Sequence, residues 1–133
     1  MATQIFVNLP VADLNRSVEF FTKLGYTFNP QFTNDDATCM IISDNIFVML
    51  LVRKFYQTFT EKEIVDAFKA NECINCLGLE SRAAVDDLVN KAVAAGGRAT
   101  KQQDHGFMYS WGYEDLDGHL WEVVWMAPQP ADN

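Results

Sequence analysis

The chain has little histidine, little cysteine, a shortage of basic residues and no long apolar run, and each shortage removes a class of function. Ten Lys and Arg face eighteen Asp and Glu, a formal charge of −8. With no basic cluster anywhere, neither nucleic acid nor an anionic membrane surface is an expected partner. A small neutral or cationic ligand suits that field better. The longest apolar stretch, Ile46 to Val52, falls far short of the roughly 20 residues that span a bilayer, and no basic segment followed by a hydrophobic one opens the chain. No membrane association is expected, and the expected compartment is the cytoplasm.

Three cysteines, Cys39, Cys73 and Cys76, are an odd count that suits a reducing compartment rather than a disulfide framework. Cys73 and Cys76 form a C-x-x-C, but Ile74, Leu77 and Leu79 around them read as a strand. A helix N-terminus, which would activate a thiol, is not indicated. Buried, inert thiols are the expectation. Also missing are a nucleophile beside a base, a phosphate-cradling glycine loop and a helix bearing paired metal ligands.

What is present is ample core material: 133 residues, 49% apolar and 13% aromatic, enough for one domain. Gln4 to Leu9 reads as a strand. Asp13 then caps a helix with Leu14, Val18, Phe21 and Leu24 at helical spacing, which Gly25 stops. Strand-like runs follow at Tyr26 to Phe32, Thr38 to Ile42 and Ile46 to Val52. From Ile74 the order repeats: a strand to Glu80, a helix capped by Ser81 with Val85, Leu88, Ala92 and Ala95 on one face, a stop at Gly96-Gly97. Strands at Arg98 to Gln102, Phe107 to Tyr113 and Leu120 to Met126 complete it. The reading is an α+β chain of two β-α-β-β-β modules, residues 3–52 and 74–126, within a single domain 1–133. Between them, residues 53–73 form a connector with an aromatic stretch, Phe55, Tyr56 and Phe59, and a helix expected from Thr60 to Phe68. It could serve as linker, lid or dimer contact; as a linker, its aromatics would cover an open sheet edge.

The most informative stretch is Asp115 to Met126. Asp117-Gly118 signals a turn, and the strand after it is apolar on both alternating faces, as for a strand buried on two sides. Glu122 breaks the run. A desolvated carboxylate needs a metal, a cation or a proton, so Glu122 is the leading candidate site residue. The two modules align through their last turns: Asp44 and Asp117 each open an apolar strand, and five residues later stand Met49 and Glu122. His119 reads as a partly exposed turn residue. His105, between Asp104 and Gly106, could be a general base, a metal ligand or simply a hydrogen-bonding loop residue.

In order and spacing the chain resembles the vicinal oxygen chelate superfamily of glyoxalase I, bleomycin-resistance proteins and extradiol dioxygenases, and within it a glyoxalase-like bacterial branch labelled predicted lactoylglutathione lyase. The matching features are the paired modules, Leu9-Pro-Val-Ala-Asp-Leu-Asn-Arg-Ser-Val-Glu-Phe-Phe21, Leu24-Gly25-Tyr26, Gly96-Gly97 and Asp115-Leu-Asp-Gly-His-Leu-Trp-Glu122. Gln103-Asp104-His105-Gly106-Phe107-Met108-Tyr109 and Trp121-Glu-Val-Val-Trp-Met126 carry the branch. The resemblance implies a cupped mixed sheet around a ligand cavity, a homodimer, and in metal-using members a ligand on the first and last strand of each module. Carried over, those positions fall at Glu122, Met49, near Phe6, and at Leu77 or Cys76. Only the first suits a hard divalent metal, so a metal is disfavoured. The implied function is binding of a small organic molecule in a pocket of Phe6, Asn8, Met49, Tyr109, Trp111 and Glu122. The alternative is a divergent metal-dependent lyase or dioxygenase whose catalytic residues are Glu122 and His105, with Glu122 a metal ligand. If Glu122 faces the cavity, strand parity sends Trp125 under a helix instead.

Overall fold

The computed structural model describes residues 3–128. The chain is α+β, and its strands form two mixed sheets in two compact units that divide between Ala70 and Asn71. Among the described residues, no helix is long and apolar enough to cross a membrane.

The first unit runs β1 (Ile5–Val11), α1 (Leu14–Lys23), β2 (Thr27–Asn29), β3 (Ala37–Ser43), β4 (Ile46–Val52) and a single helical turn α2 (Arg53–Tyr56). Its sheet has the order β1-β4-β3-β2, with β1 and β4 parallel and the other pairs antiparallel. The Asp13 carboxylate accepts the Arg16 N–H at 3.1 Å, capping α1 as its sequence requires. Gly25 at φ 105° ends that helix in the left-handed region open to glycine. Leu14, Phe20 and Phe21 of α1 are buried with Val11, Met40, Val48 and Leu50, so the helix seals one face of the sheet. By the alternation of side chains, Phe6 and Asn8 of β1 and Phe47, Met49 and Leu51 of β4 share the other face.

The second unit repeats this topology: β5 (Ile74–Gly78), α3 (Arg82–Ala94), β6 (Arg98–Ala99), β7 (Gln103–Asp104), β8 (Met108–Glu114) and β9 (Leu120–Met126). The order is β5-β9-β8-β6, with β5 and β9 parallel and β7 paired to β8. Ser81 caps α3 through the Ala84 N–H at 3.0 Å, and Gly96 at φ 112° stops it. Val85, Val89 and Ala92 of α3 and Tyr113, Trp121 and Val123 of the sheet are all fully or almost fully buried, and α3 contacts both β8 and β9.

Four expectations are corrected. The helix expected at Thr60 to Phe68 does not form: the Thr60 and Lys62 carbonyls accept from the Gln57 side-chain amide, and those of Ile64 and Val65 from the Arg53 guanidinium. Carbonyls captured by side chains are lost to an i→i+4 ladder. The strand expected through Phe32 ends at Asn29, because Pro30 has no N–H to give and Asn29 caps a 3₁₀ turn instead. Cys73 and Cys76 are exposed, whereas Cys39 is buried. Finally, β9 is not buried on both faces: Trp121 and Val123 are inside, but Glu122 is half-buried and Met126 exposed.

Candidate functional site

In the first unit, the face of the sheet opposite α1 carries a small pocket. The register sets Phe6 against Phe47, Asn8 against Met49 and Pro10 against Leu51. The Phe6 and Phe47 rings stack, centroids 4.8 Å apart. At the end of β4 the chain turns at once into α2 and then a 3₁₀ turn (Gln57–Phe59), which brings Tyr56, Phe59 and Thr60 back over the strands. The turn is fixed from within. Gln57 Nε2 donates to the Thr60 and Lys62 carbonyls at 2.9 Å each, Thr58 Oγ1 donates to the Phe55 carbonyl at 2.7 Å, and the Phe55 and Phe59 rings meet edge to face at 5.2 Å. The result is a cavity of about 320 Å³ lined by Asn8, Leu51, Tyr56, Phe59 and Thr60.

The polar atoms of this pocket are specific. Asn8 Nδ2 donates to the Phe6 carbonyl at 3.2 Å, which fixes the amide's orientation and leaves Oδ1 without a described donor. Thr60 Oγ1 accepts the Lys62 N–H at 3.1 Å. The Tyr56 hydroxyl makes no hydrogen bond to a described residue and keeps both donor and acceptor capacity.

In the second unit, Glu122 stands between Cys76 of β5 and Gly112 of β8. The Cys76 thiol donates to Glu122 Oε1 at 3.8 Å; burial, and then the neighbouring carboxylate, push its pKa up. The register that pairs Glu122 with Gly112 pairs Trp111 with Val123 and Tyr109 with Trp125. Tyr109 and Trp111 therefore lie on the helix face, away from Glu122, which corrects their expected place beside it in one pocket. Trp111 Nε1 donates to the Thr100 carbonyl at 2.8 Å. Tyr109 donates to Asp86 Oδ1 at 2.5 Å and accepts from Gln102 Nε2 at 3.1 Å. Burial, with that carboxylate, pushes the Tyr109 phenol up to about 12.

A further constellation escaped the sequence reading. Arg82 forks onto Asp104 at 2.7 and 3.0 Å and onto the Gly106 carbonyl at 2.8 Å, with its guanidinium over the Tyr109 and Trp125 rings at 5.2 and 5.0 Å. Trp125 thus packs against α3, as parity requires. The guanidinium and the Gly106 N–H hold the Asp104 carboxyl down at about 2. The loop so clamped carries His105, whose N–H donates to the Met108 carbonyl at 2.8 Å. His105 therefore sits at the Met108 end of β8, while Glu122 faces Gly112, four residues and about 14 Å further along at 3.4 Å per residue. The structure does not bring these two residues together.

The first-and-last-strand pairs are now explicit: Asn8 with Met49, and Cys76 with Glu122. Asn8, not Phe6, occupies the position on β1 opposite Met49. An amide with a thioether, or a thiol with one carboxylate, does not fit a hard divalent cation, which takes several oxygen or imidazole ligands. Among the described residues, no three His, Cys, Asp or Glu side chains gather closely enough to hold a metal ion. Tyr56, Phe59 and Leu51 were also absent from the expected pocket. The signal for them was available: Leu51 shares strand parity with Met49, and the aromatic turn begins two residues after it, at Arg53.

Residues 3–43 match a family model described as bleomycin resistance protein-like N-terminal. A hypothetical protein from S. aureus is 29% identical, with 93% of this chain and 94% of that one covered and a TM-score of 0.78. A glyoxalase-related enzyme from Fulvimarina pelagi is 19% identical over 100% of this chain and 96% of its own, at a TM-score of 0.80. The fosfomycin resistance protein FosX from Mesorhizobium loti is 13% identical over 97% and 94%, at 0.67. The last two likenesses are of fold alone. No curated protein matches the sequence at a significant level. With this paired β-α-β-β-β architecture the chain has the fold of the glyoxalase, bleomycin resistance protein and dioxygenase structures, and over residues 3–43 it is similar to the bleomycin resistance protein-like N-terminal family.

Proposed function

We propose that the chain is a small-molecule binding protein that holds an organic ligand in the first-unit pocket without a catalytic metal. The observation that carries the reading is the cavity of about 320 Å³ between Asn8 and Leu51 of the sheet and Tyr56, Phe59 and Thr60 of the following turn. Its size lies at the small end of the range for organic ligands, about 300–1,000 Å³, and its lining of apolar surface with a few polar atoms is the usual make-up of such sites. The chemistry of the two donor pairs supports the absence of a metal, and the distance between His105 and Glu122 counts against a lyase or dioxygenase built on them. A homodimer fits the same reading. β1 ends its sheet, and its Ile5 and Phe6 are exposed, apolar surface of the kind that a second copy would cover.

The test is a small-molecule screen by thermal shift, followed by calorimetry on wild type, Phe59→Ala and Glu122→Gln. The expected result is a ligand whose affinity falls about tenfold or more in Phe59→Ala and is unchanged in Glu122→Gln. Ligands that ignore Phe59→Ala would place the site elsewhere. Stoichiometric metal binding lost in Glu122→Gln would overturn the metal-free reading.

A further inference from the structure

The pocket's chemistry restricts what can enter it. All five lining side chains, Asn8, Leu51, Tyr56, Phe59 and Thr60, are uncharged at neutral pH. An anion would find no cation among the lining side chains, and Arg53, at the start of the turn, directs its Nη2 to the Ile64 and Val65 carbonyls. The chain's charge of −8 adds long-range repulsion. A cation would find two rings but no carboxylate, and a desolvated ammonium with unmatched donors is costly. Neither ring is an indole, the best cation acceptor.

The pocket offers instead a flat apolar surface and three hydrogen-bonding groups, Asn8 Oδ1 and the Tyr56 and Thr60 hydroxyls. Phe59 is 68% exposed, yet the turn that carries it is held by the Gln57 and Thr58 hydrogen bonds and its ring meets that of Phe55 edge to face. A ring so held is a stacking platform whose exposed area a ligand would remove from water. Asn8 Oδ1 is an acceptor with no described donor, held in place because Nδ2 is committed to the Phe6 carbonyl. The Tyr56 hydroxyl can accept or donate.

Building on the binding role proposed above, we infer that this site takes a neutral aromatic molecule of one or two fused rings that carries a hydrogen-bond donor, a phenol or a lactam N–H being the simplest cases. The ring lies on Phe59 and Leu51, and the donor reaches Asn8 Oδ1. Specificity then comes mainly from Asn8: a ligand without the donor leaves that acceptor desolvated and unpaired, and a charged ligand is left without a counter-ion.

Four matched probes test this: 2-naphthol, naphthalene, 2-naphthoate and 2-naphthylmethylammonium, each titrated into the 15N-labelled full chain with amide shifts as readout. 2-Naphthol is expected to bind at least tenfold tighter than the other three, with shifts at Asn8 and at residues 56–60. Asn8→Leu, on an exposed strand position, should keep a dispersed spectrum and abolish the preference for naphthol over naphthalene. Equal or tighter binding of the carboxylate or the ammonium, with shifts at the same residues, would overturn the ligand class and leave the pocket standing. A naphthol preference that survives Asn8→Leu would overturn the role of the amide. No shift at Asn8 or residues 56–60 with any probe would overturn the pocket itself.

Discussion

Trp121 donates its indole N–H to Asp115 Oδ2 at 3.0 Å, across the turn that feeds the last strand. Asp115 Oδ1 accepts the backbone N–H groups of Asp117 and His119 at 2.9 and 3.0 Å. One buried carboxylate thus closes the Asp-Leu-Asp-Gly-His turn and fixes the orientation of the largest core side chain of the second unit. Burial pushes the Asp115 pKa up, while these donors and His119 act in the opposite direction. Asp115→Ala would leave three donors without their acceptor. At about 1–3 kcal/mol for each buried unsatisfied group, a loss of about 3 kcal/mol or more is expected in urea unfolding. Asp115→Asn should also destabilise, because an amide nitrogen cannot satisfy all three. Wild-type stability in either variant would contradict the arrangement.

Gly112 faces Glu122 across the β8–β9 ladder, and a Cβ there would collide with the Trp121 carbonyl oxygen and lie 2.8 Å from Thr100 Oγ1. The carbonyl belongs to the neighbouring strand and can move only by breaking the ladder. Gly112→Ala is therefore expected to cost about 2 kcal/mol or more, against an ordinary preference for alanine over glycine in a strand. The measurement is the denaturation midpoint of the purified variant. A neutral or stabilising substitution would mean that the strands do not approach this closely.

Two phenols are expected to ionise late. Burial raises Tyr26 to about 12, and burial with the Asp86 carboxylate raises Tyr109 to about 12. An unfolded tyrosine ionises near pH 10. Folded-state values above the unfolded one mean that the contribution is complete below about pH 10 and is lost as pH rises toward 12. Stability should fall through that window, and absorbance at 295 nm should show Tyr26 and Tyr109 titrating near 12 in native protein. Tyr109→Phe should remove one of them.

The sequence carried the topology because its signals are local. Asp13 and Ser81 cap helices, Gly25 and Gly96 stop them with positive φ, and the five-residue step from Asp44 to Met49 and from Asp117 to Glu122 sets two equivalent strands. What failed to show was what depends on partners distant in sequence. Nothing local marks the Arg53 side chain as capturing the Ile64 and Val65 carbonyls, eleven and twelve residues on, that a helix from Thr60 would need. Strand parity placed Trp125 correctly opposite Glu122, and the same parity with the right β8 register would have moved Tyr109 and Trp111 to the helix face. The register is set by pairing between strands, which single-strand periodicity does not contain. The pocket was missed for a related reason: Tyr56 and Phe59 line it only because the chain reverses immediately after β4.

Arg82 ties α3 to the β7–β8 loop through Asp104, the Gly106 carbonyl and two aromatic rings. A lysine offers one ammonium and cannot reproduce a two-pronged fork or a stacked plane. Arg82→Lys is expected to speed amide exchange at residues 104–107 by about tenfold, with little change in the exchange of β8 beyond Ser110. The Asp104 partnership is present above the ordinary carboxylate range and is lost as pH falls toward about 2, so the same loop should loosen first under acid. Uniform loosening of the whole unit in Arg82→Lys would show that the fork is a general core contact and not a local clamp.

Metal dependence separates the two functional readings most sharply. Glu122 has Cys76 as its neighbour on one strand and Gly112 on the other, and its equivalent in the first unit is Met49 beside Asn8. A divalent cation held at Glu122 alone would keep most of its hydration shell, and single-carboxylate binding of that kind is weak and unselective. Dialysis of the purified protein against a chelator is therefore expected to leave its melting temperature unchanged, and titration with nickel, zinc, manganese or iron(II) to give no stoichiometric heat. Glu122→Gln should match wild type in both measurements. A site in which one carboxylate closes a metal cage would behave oppositely: the chelator would lower the melting temperature, the metal would restore it by mass action, and the glutamine variant would respond to neither.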